Sequence, residues 1–259
     1  MLKIRLKVQG NALGRVLRTA AVLGLAAGLG SCDKGNEAGC FTSTGPIVTE
    51  RRALPPVRVL ITYDNVSVVL VQDTATYAEV RAGRNLQDDI RLEVRGNELT
   101  IRNTSRCNWV RRYDTPREVT LHLPRLTDVF LRGQADIRTQ GAFRQDTLFA
   151  HLVGAGDFHL NLVSHYLGMS QYELGNIYLS GSTQELHHTL GGSGSFYAQD
   201  FPLQHVYLQT DYSSSGNLHL RPARLLAGTH AGTGTVFHPA SPTLEKVLRI
   251  TGKGKVQTE

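Results

Sequence analysis

Short runs of alternating apolar and polar residues fill the chain from residue 57 onward. Runs at 57–61, 66–71, 77–81, 90–94, 99–101 and 119–123 have the period of two expected of half-buried strands. Turn signals separate them: Tyr63-Asp64-Asn65, Gly96-Asn97 and Leu123-Pro124. No window of a dozen residues carries a helical period, apart from a single turn near 85–89, so the pattern predicts an all-β protein. In the second half a longer period is laid over the alternation. Gly156-Asp157-Phe158-His159, Gly175-Asn176-Ile177-Tyr178, Gly194-Ser195-Phe196-Tyr197, Gly216-Asn217-Leu218-His219 and Gly234-Thr235-Val236-Phe237 repeat one phrase, with glycine-to-glycine steps of 19, 19, 22 and 18. Weaker copies lie at Ala135-Asp136-Ile137-Arg138 and Gly254-Lys255-Val256-Gln257. Self-similarity at about twenty residues marks stacked coils, here a β-solenoid resembling a parallel β-helix. The first half, 46–125, lacks the glycine register and is expected to be irregular. The segment 126–259 is expected to carry the regular coils within one domain, 46–259.

Aligning the phrases sorts each position by chemistry. Two residues after the glycine stand Phe158, Ile177, Phe196, Leu218 and Val236; four after it stand Leu160, Leu179, Ala198, Leu220 and His238. Side chains two apart share a face, so both positions point inward, joined by Leu148, Leu167, Leu186, Val206 and Leu226 upstream. The residue directly after the glycine is Asp136, Asp157, Asn176, Ser195, Asn217 or Thr235, small side chains that bond nearby backbone at a corner. A calcium ladder is the competing reading, weakened because only two of these six carry a carboxylate. Glycine at the corner supplies either positive φ or room for close backbone approach. The third position holds His159, Tyr178, Tyr197, His219 and Phe237, between two inward positions, and projects outward as a ladder of rings. With coils ~4.8 Å apart, five rungs extend on the order of 19 Å, the length of a short oligosaccharide or extended peptide. Two roles are open for this ladder: a binding surface, or stacking that stabilises the coil.

The start of the chain changes the electrostatic reading. Residues 1–31 hold Lys3, Arg5, Lys7, Arg15 and Arg18, no acidic residue, and a short apolar run from Ala20 to Gly30, the layout of a signal peptide. Leu29-Gly30-Ser31-Cys32 resembles a bacterial lipobox, which implies lipidation of Cys32 and a membrane anchor. Residues 32–45 read as a flexible tether. The formal net charge is +6; without the five signal-peptide charges it is +1, and no basic stripe suited to nucleic acid remains. Cys40 and Cys107 are then left, and in an oxidising envelope they are expected to pair as a disulfide, the alternative being two separate thiols. Arg106, Arg111, Arg112 and Arg117 read as a solvated loop.

Ten histidines invite a metal or catalytic reading, but their spacing follows the coils. We read them as surface residues, with His187 and His188 facing opposite ways on one strand. Serine-rich turns at 192–195 and 213–216 are not strand-to-helix nucleophile elbows. No catalytic residue, metal ligand or cofactor is expected, a polysaccharide hydrolase or lyase being the least favoured reading.

Several phrases in the first half resemble a known family. Pro46-Ile47-Val48-Thr49-Glu50-Arg51-Arg52, Val66-Ser67-Val68-Val69-Leu70-Val71-Gln72, Leu92-Glu93-Val94-Arg95-Gly96-Asn97-Glu98-Leu99-Thr100-Ile101 and Val119-Thr120-Leu121-His122-Leu123-Pro124-Arg125-Leu126 are similar, in this order, to the head GIN domain family. These are envelope proteins of Bacteroidetes type, labelled adhesin heads, in a domain of unknown function. The resemblance covers roughly 46–255 and implies a β-solenoid without an established enzymatic site. Gln134-Ala135-Asp136 and Ser214-Ser215-Gly216 depart from the regular glycine turn. The resulting expectation is an outer-membrane lipoprotein, facing the periplasm or the exterior. It acts either as a binding or adhesion module for glycan or protein, or as a structural or regulatory envelope component. A monomer or small homo-oligomer is expected.

Overall fold

The computed structural model describes residues 43–105 and 115–259. Cys32, Cys40, Cys107 and the signal segment lie outside the described residues, so lipidation and the disulfide find no geometry here. The described part is built of β1 (Ile47–Ala53), β2 (Val59–Thr62), β3 (Ser67–Gln72), β4 (Tyr77–Gly83), β5 (Ile90–Arg95), β6 (Glu98–Asn103), β7 (Arg117–Leu123), β8 (Asp128–Leu131), β9 (Ile137–Gln140) and β10 (Phe143–Arg144). It continues through β11 (Thr147–Leu152), β12 (Phe158–Gln171), β13 (Ile177–Leu190), β14 (Phe196–Tyr197), β15 (Leu203–Thr210), β16 (Leu218–His219), β17 (Pro222–His230), β18 (Thr235–His238), β19 (Glu245–Ile250) and β20 (Lys255–Thr258). One 3-10 helix, Arg84–Asp89, occupies the place where a turn was expected. Among the described residues no helix is long and apolar enough to cross a membrane.

From β8 onward each coil contributes one strand to each of two parallel walls. The first wall stacks β8, β11, the second half of β12, the second half of β13, β15, β17 and β19. The second stacks β9, the first half of β12, the first half of β13, β14, β16, β18 and β20. β12 and β13 run from the second wall of one coil into the first wall of the next without a break. The predicted inward register holds: Ile137, Phe158, Ile177, Phe196, Leu218 and Val236 are aligned coil to coil and fully buried. Leu148, Leu167, Leu186, Val206 and Leu226 do the same on the first wall. Each such side chain removed from water stabilises by roughly 1.5–3 kcal/mol. The repeating pattern therefore makes a continuous core rather than isolated clusters.

The first half departs from sequential stacking. β2 lies between β6 and β8, and β3 between β7 and β9, all parallel, so the first coil to appear in the chain is second in space. The coil formed by β6 and β7 sits outside it. Antiparallel strands close that end: β5 pairs with β6, and β4 pairs with β7 on one edge and β1 on the other. At the opposite end, β19 and β20 pair only with β17 and β18 among the described residues. There Lys246 takes the place in register with Leu226 but is exposed, and a charge at that edge opposes its pairing with another chain.

Candidate functional site

The five outward rings form one continuous stack along the second wall. Strand alternation turns them outward, because the residues on either side of each are in the core. Centroids are separated by 4.7 Å for His159 and Tyr178, 4.8 Å for Tyr178 and Tyr197, 5.3 Å for Tyr197 and His219, and 4.6 Å for His219 and Phe237. Interplanar angles run from 1° to 13°, so the rings meet face to face and turn their edges and polar tips to solvent. Burial, and after it the Asp157 carboxylate, pushes the Tyr178 phenol above its ordinary pKa, so its hydroxyl stays a hydrogen-bond donor at neutral pH.

The corner beside the ladder is a chain of hydrogen bonds. An Asp136 carboxylate oxygen accepts the Asp157 N–H at 2.9 Å, and Asp157 accepts the Asn176 N–H at 2.7 Å. The Asn176 side-chain oxygen accepts the Ser195 N–H at 2.9 Å, the Ser195 hydroxyl accepts from Asn217 at 3.1 Å, and Asn217 accepts from Thr235 at 2.9 Å. Each small polar side chain thus satisfies the backbone of the next coil, and among the described residues no acidic or histidine group could hold a metal ion. Asp157→Ala leaves the Asn176 N–H without its acceptor. A loss of about 1–2 kcal/mol in thermal or urea unfolding is expected, whereas Asp157→Asn, which keeps an acceptor oxygen, should lose less than half of that.

The histidines divide differently from the surface reading. His188 is fully buried, as are His230 and His238. His230 has both nitrogens used: Nδ1 lies 2.8 Å from the Thr210 hydroxyl and Nε2 donates to the Gly234 carbonyl at 2.9 Å. His238 reaches the Pro239 carbonyl from Nδ1 at 2.9 Å. His188 stacks on Phe196 of the opposite wall with centroids 4.2 Å apart, while neither ring nitrogen has a partner. Burial depresses its pKa from 6.5 to about 3. His188 and His230 are corrected to core residues, since outward and inward are set by register and not by polarity, while His238 takes the inward place its register gave it.

Two outward groupings on the first wall escaped the sequence reading. Ser170 Oγ lies 2.7 Å from His151 Nδ1, and His151 Nε2 lies 3.9 Å from Asp128 Oδ1. Burial and Arg132 lower the His151 pKa, with Asp128 opposing. The trio is half-buried on a parallel wall whose strands spend their amides on coil-to-coil pairing, so nothing in its geometry supplies the paired donors that acyl transfer requires. The second grouping is a run of rings, Phe149, Tyr166, His187 and Tyr207, with centroid steps of 5.8, 5.1 and 4.5 Å and tilts of 55°, 32° and 29°. His187 Nε2 is 2.6 Å from Glu185 Oε1. Stacked pairs occur elsewhere too: Tyr77 with His122 at 4.1 Å and Phe130 with His151 at 4.3 Å.

A family model described as "Putative auto-transporter adhesin, head GIN domain" matches residues 59–242. No curated protein sequence matches the chain at a significant level. Among solved structures, a "putative adhesin" from Bacteroides fragilis superposes with a TM-score of 0.74 at 18% identity, covering 83% of this chain and 97% of the other. A "putative adhesin" from Parabacteroides distasonis gives 0.62 at 16% identity, covering 83% and 98%. A "Putative lipid binding protein" from the same species gives 0.58 at 16% identity, again covering 83% and 98%. At these identities the likeness establishes the solenoid fold.

Proposed function

The chain belongs to the head GIN domain family, and from that premise we propose that it is a non-enzymatic binding or adhesion module of the cell envelope. In this reading Cys32 carries the lipid that holds it to the outer membrane, and a bridge between Cys40 and Cys107 pins the tether to the domain. The recognition surface is the ladder His159, Tyr178, Tyr197, His219 and Phe237. The observation that carries this is the unbroken stack of five rings along one wall. Rigid rings with polar tips bind with little loss of side-chain entropy. The ladder is bordered by the Asp and Asn side chains of the corner and, two residues along each strand, by Asn161, Ser180 and Arg221. An edge-presenting ribbon of this kind suits hydrogen bonding to an extended protein segment or glycan.

The test is binding of the full chain, purified in detergent, to a glycan array and to cell-envelope fractions, beside a Tyr178→Ala, Tyr197→Ala double variant whose fold is checked by circular dichroism. We expect at least a tenfold loss of affinity in the folded variant. Binding unchanged by the double substitution rejects the ladder as the contact. The second reading, a structural or regulatory envelope component, is favoured by the recurrence of face-to-face stacks at Tyr77 with His122 and at Phe130 with His151. In that case the double variant loses thermal stability and no ligand distinguishes it from the parent.

A further inference from the structure

The two ring series differ in what they leave open. On the second wall the faces are covered by neighbouring rings at 13° or less. On the first wall the rings are tilted, and Phe149 and Tyr207 remain 38% and 37% exposed. The outward row runs Phe149, Gly168, His187, Tyr207, Ala227 and Val247, one residue per coil. It has two places without a long side chain. At Gly168 the gap is filled from within, since the Phe149 ring lies where a Cβ would stand. At Ala227 it is not. Tyr207 stacks on His187 with one face, and on its other side the next coil supplies only a methyl group, followed by Val247, which is 58% exposed.

Tyr207 and Val247 are two coils apart, ~10 Å, which leaves a slot for one flat ring at the normal ~4.8 Å interval. The adjacent outward positions border the slot with Gln209, Thr229 and Arg249 on one side and His205, Leu225 and Glu245 on the other, so all but Leu225 are hydrogen-bonding groups. An apolar ring face with amide, hydroxyl and carboxylate groups around its rim matches a pyranose, whose C–H face stacks on an aromatic ring while its hydroxyls point sideways. Glu245 and Arg249 leave the rim without a net charge to favour an anionic sugar, and a bare hydrocarbon would leave its hydrogen-bonding groups unused.

We propose that Tyr207 is the wall of a neutral-glycan subsite on the first wall of the solenoid, in which a pyranose ring occupies the vacant rung above Ala227. The proposal rests on the binding-module reading and adds to the ladder a separate contact for the face of a sugar ring. Tyr207 holds the sugar face, and Ala227 is a specificity residue because its smallness makes the vacancy.

The test is titration calorimetry of the full chain in detergent with cellohexaose, chitohexaose and mannohexaose. Binding of at least one hexaose is expected. Tyr207→Ala should weaken it at least tenfold, and Ala227→Phe should do the same by filling the rung with the chain's own ring. Ala227→Phe extends an existing stack, so it tests the site without removing a packed side chain; thermal melts of both variants confirm that they fold. Tyr212→Ala, which removes a 77% exposed ring outside both ring series, should bind within twofold of the parent. Binding that survives both Tyr207→Ala and Ala227→Phe overturns the subsite; if the ladder variant then loses it, the binding-module reading stands without this inference. Absence of binding to all three hexaoses overturns the subsite as well, while leaving protein recognition by the ladder to the envelope-fraction assay.

Discussion

His188→Leu is expected to make the protein more stable, and increasingly so in acid. In the native state the imidazole is enclosed between Met169 and Leu208 on its own wall and Phe196 on the other, without a hydrogen-bond partner for either nitrogen. Its folded pKa is about 3 against 6.5 for an open histidine. The unfolded chain therefore takes up a proton near pH 6.5 that the native chain refuses until about pH 3. Stability is fully present above 6.5 and is lost as pH falls through that window, by about 2 kcal/mol at pH 5 and about 5 kcal/mol by pH 3. Leucine removes this dependence and also removes two desolvated nitrogens, each of which costs roughly 1–3 kcal/mol when left unpaired. Part of that gain is offset by the lost stack on Phe196. Thermal midpoints of parent and variant, measured from pH 7.5 to 4, should diverge steadily toward low pH. Parallel curves would show that His188 finds a partner or water in solution and is not held neutral.

Gly194→Ala should be among the most damaging single substitutions. The corner glycines Gly156, Gly175, Gly194, Gly216 and Gly234 form a column in which a Cβ on each would strike a backbone carbonyl of the preceding coil. At Gly194 the obstacle is the Gly175 carbonyl, with the Gln171 side-chain amide close behind at 2.8 Å. The first is backbone, and the second, although the end of a side chain, is held in place by donating to the Gly175 carbonyl at 2.8 Å and the Ser195 carbonyl at 3.1 Å. The coils must separate, which breaks the register on both sides. A loss of at least ~3 kcal/mol is expected, a fall in melting temperature of roughly 6–12 °C. Gly96→Ala is the control. Gly96 has a φ of 62° but nothing within 4 Å of its would-be Cβ, so only conformational strain, about 1 kcal/mol, is at stake. Equal midpoints for the two variants would contradict the packing argument.

That contrast separates what could be read from the chain and what could not. The phrase beginning at Gly156 already fixed the inward column of Phe158, Ile177 and Phe196, the outward rings and the bonded corner, because a side-chain period of two leaves no freedom once one position is assigned. Of the two roles open to the repeated glycines, the structure selects close approach: none of the five has positive φ. The burial of His188 was within reach, since Leu186 two residues earlier is inward and the same alternation carries His188 with it. Polarity argued the other way, and packing overrode it. The first-wall rings had no common offset to reveal them, because Tyr166 comes from a different outward row than Phe149 and His187 and meets them only by leaning across Gly168. The interleaving of β2 and β3 between later strands was invisible for a different reason. Alternation identifies a strand and its buried face but carries no information about which coil is its neighbour.

That interleaving sets an order of events during synthesis. Leu60 pairs with Leu99 and with Val129, and Val68 with Val119 and Ile137, partners forty to seventy residues away in the chain. A nascent chain cannot complete the pairing of β2 and β3 until β9 has left the ribosome, and it must close these long loops to do so. From then on each further coil finds its template already formed one period behind and needs only a short closure. Completion of the fold is therefore a slow nucleation confined to the irregular half, followed by rapid vectorial growth, with the antiparallel end serving as the seed from which the rest is wound.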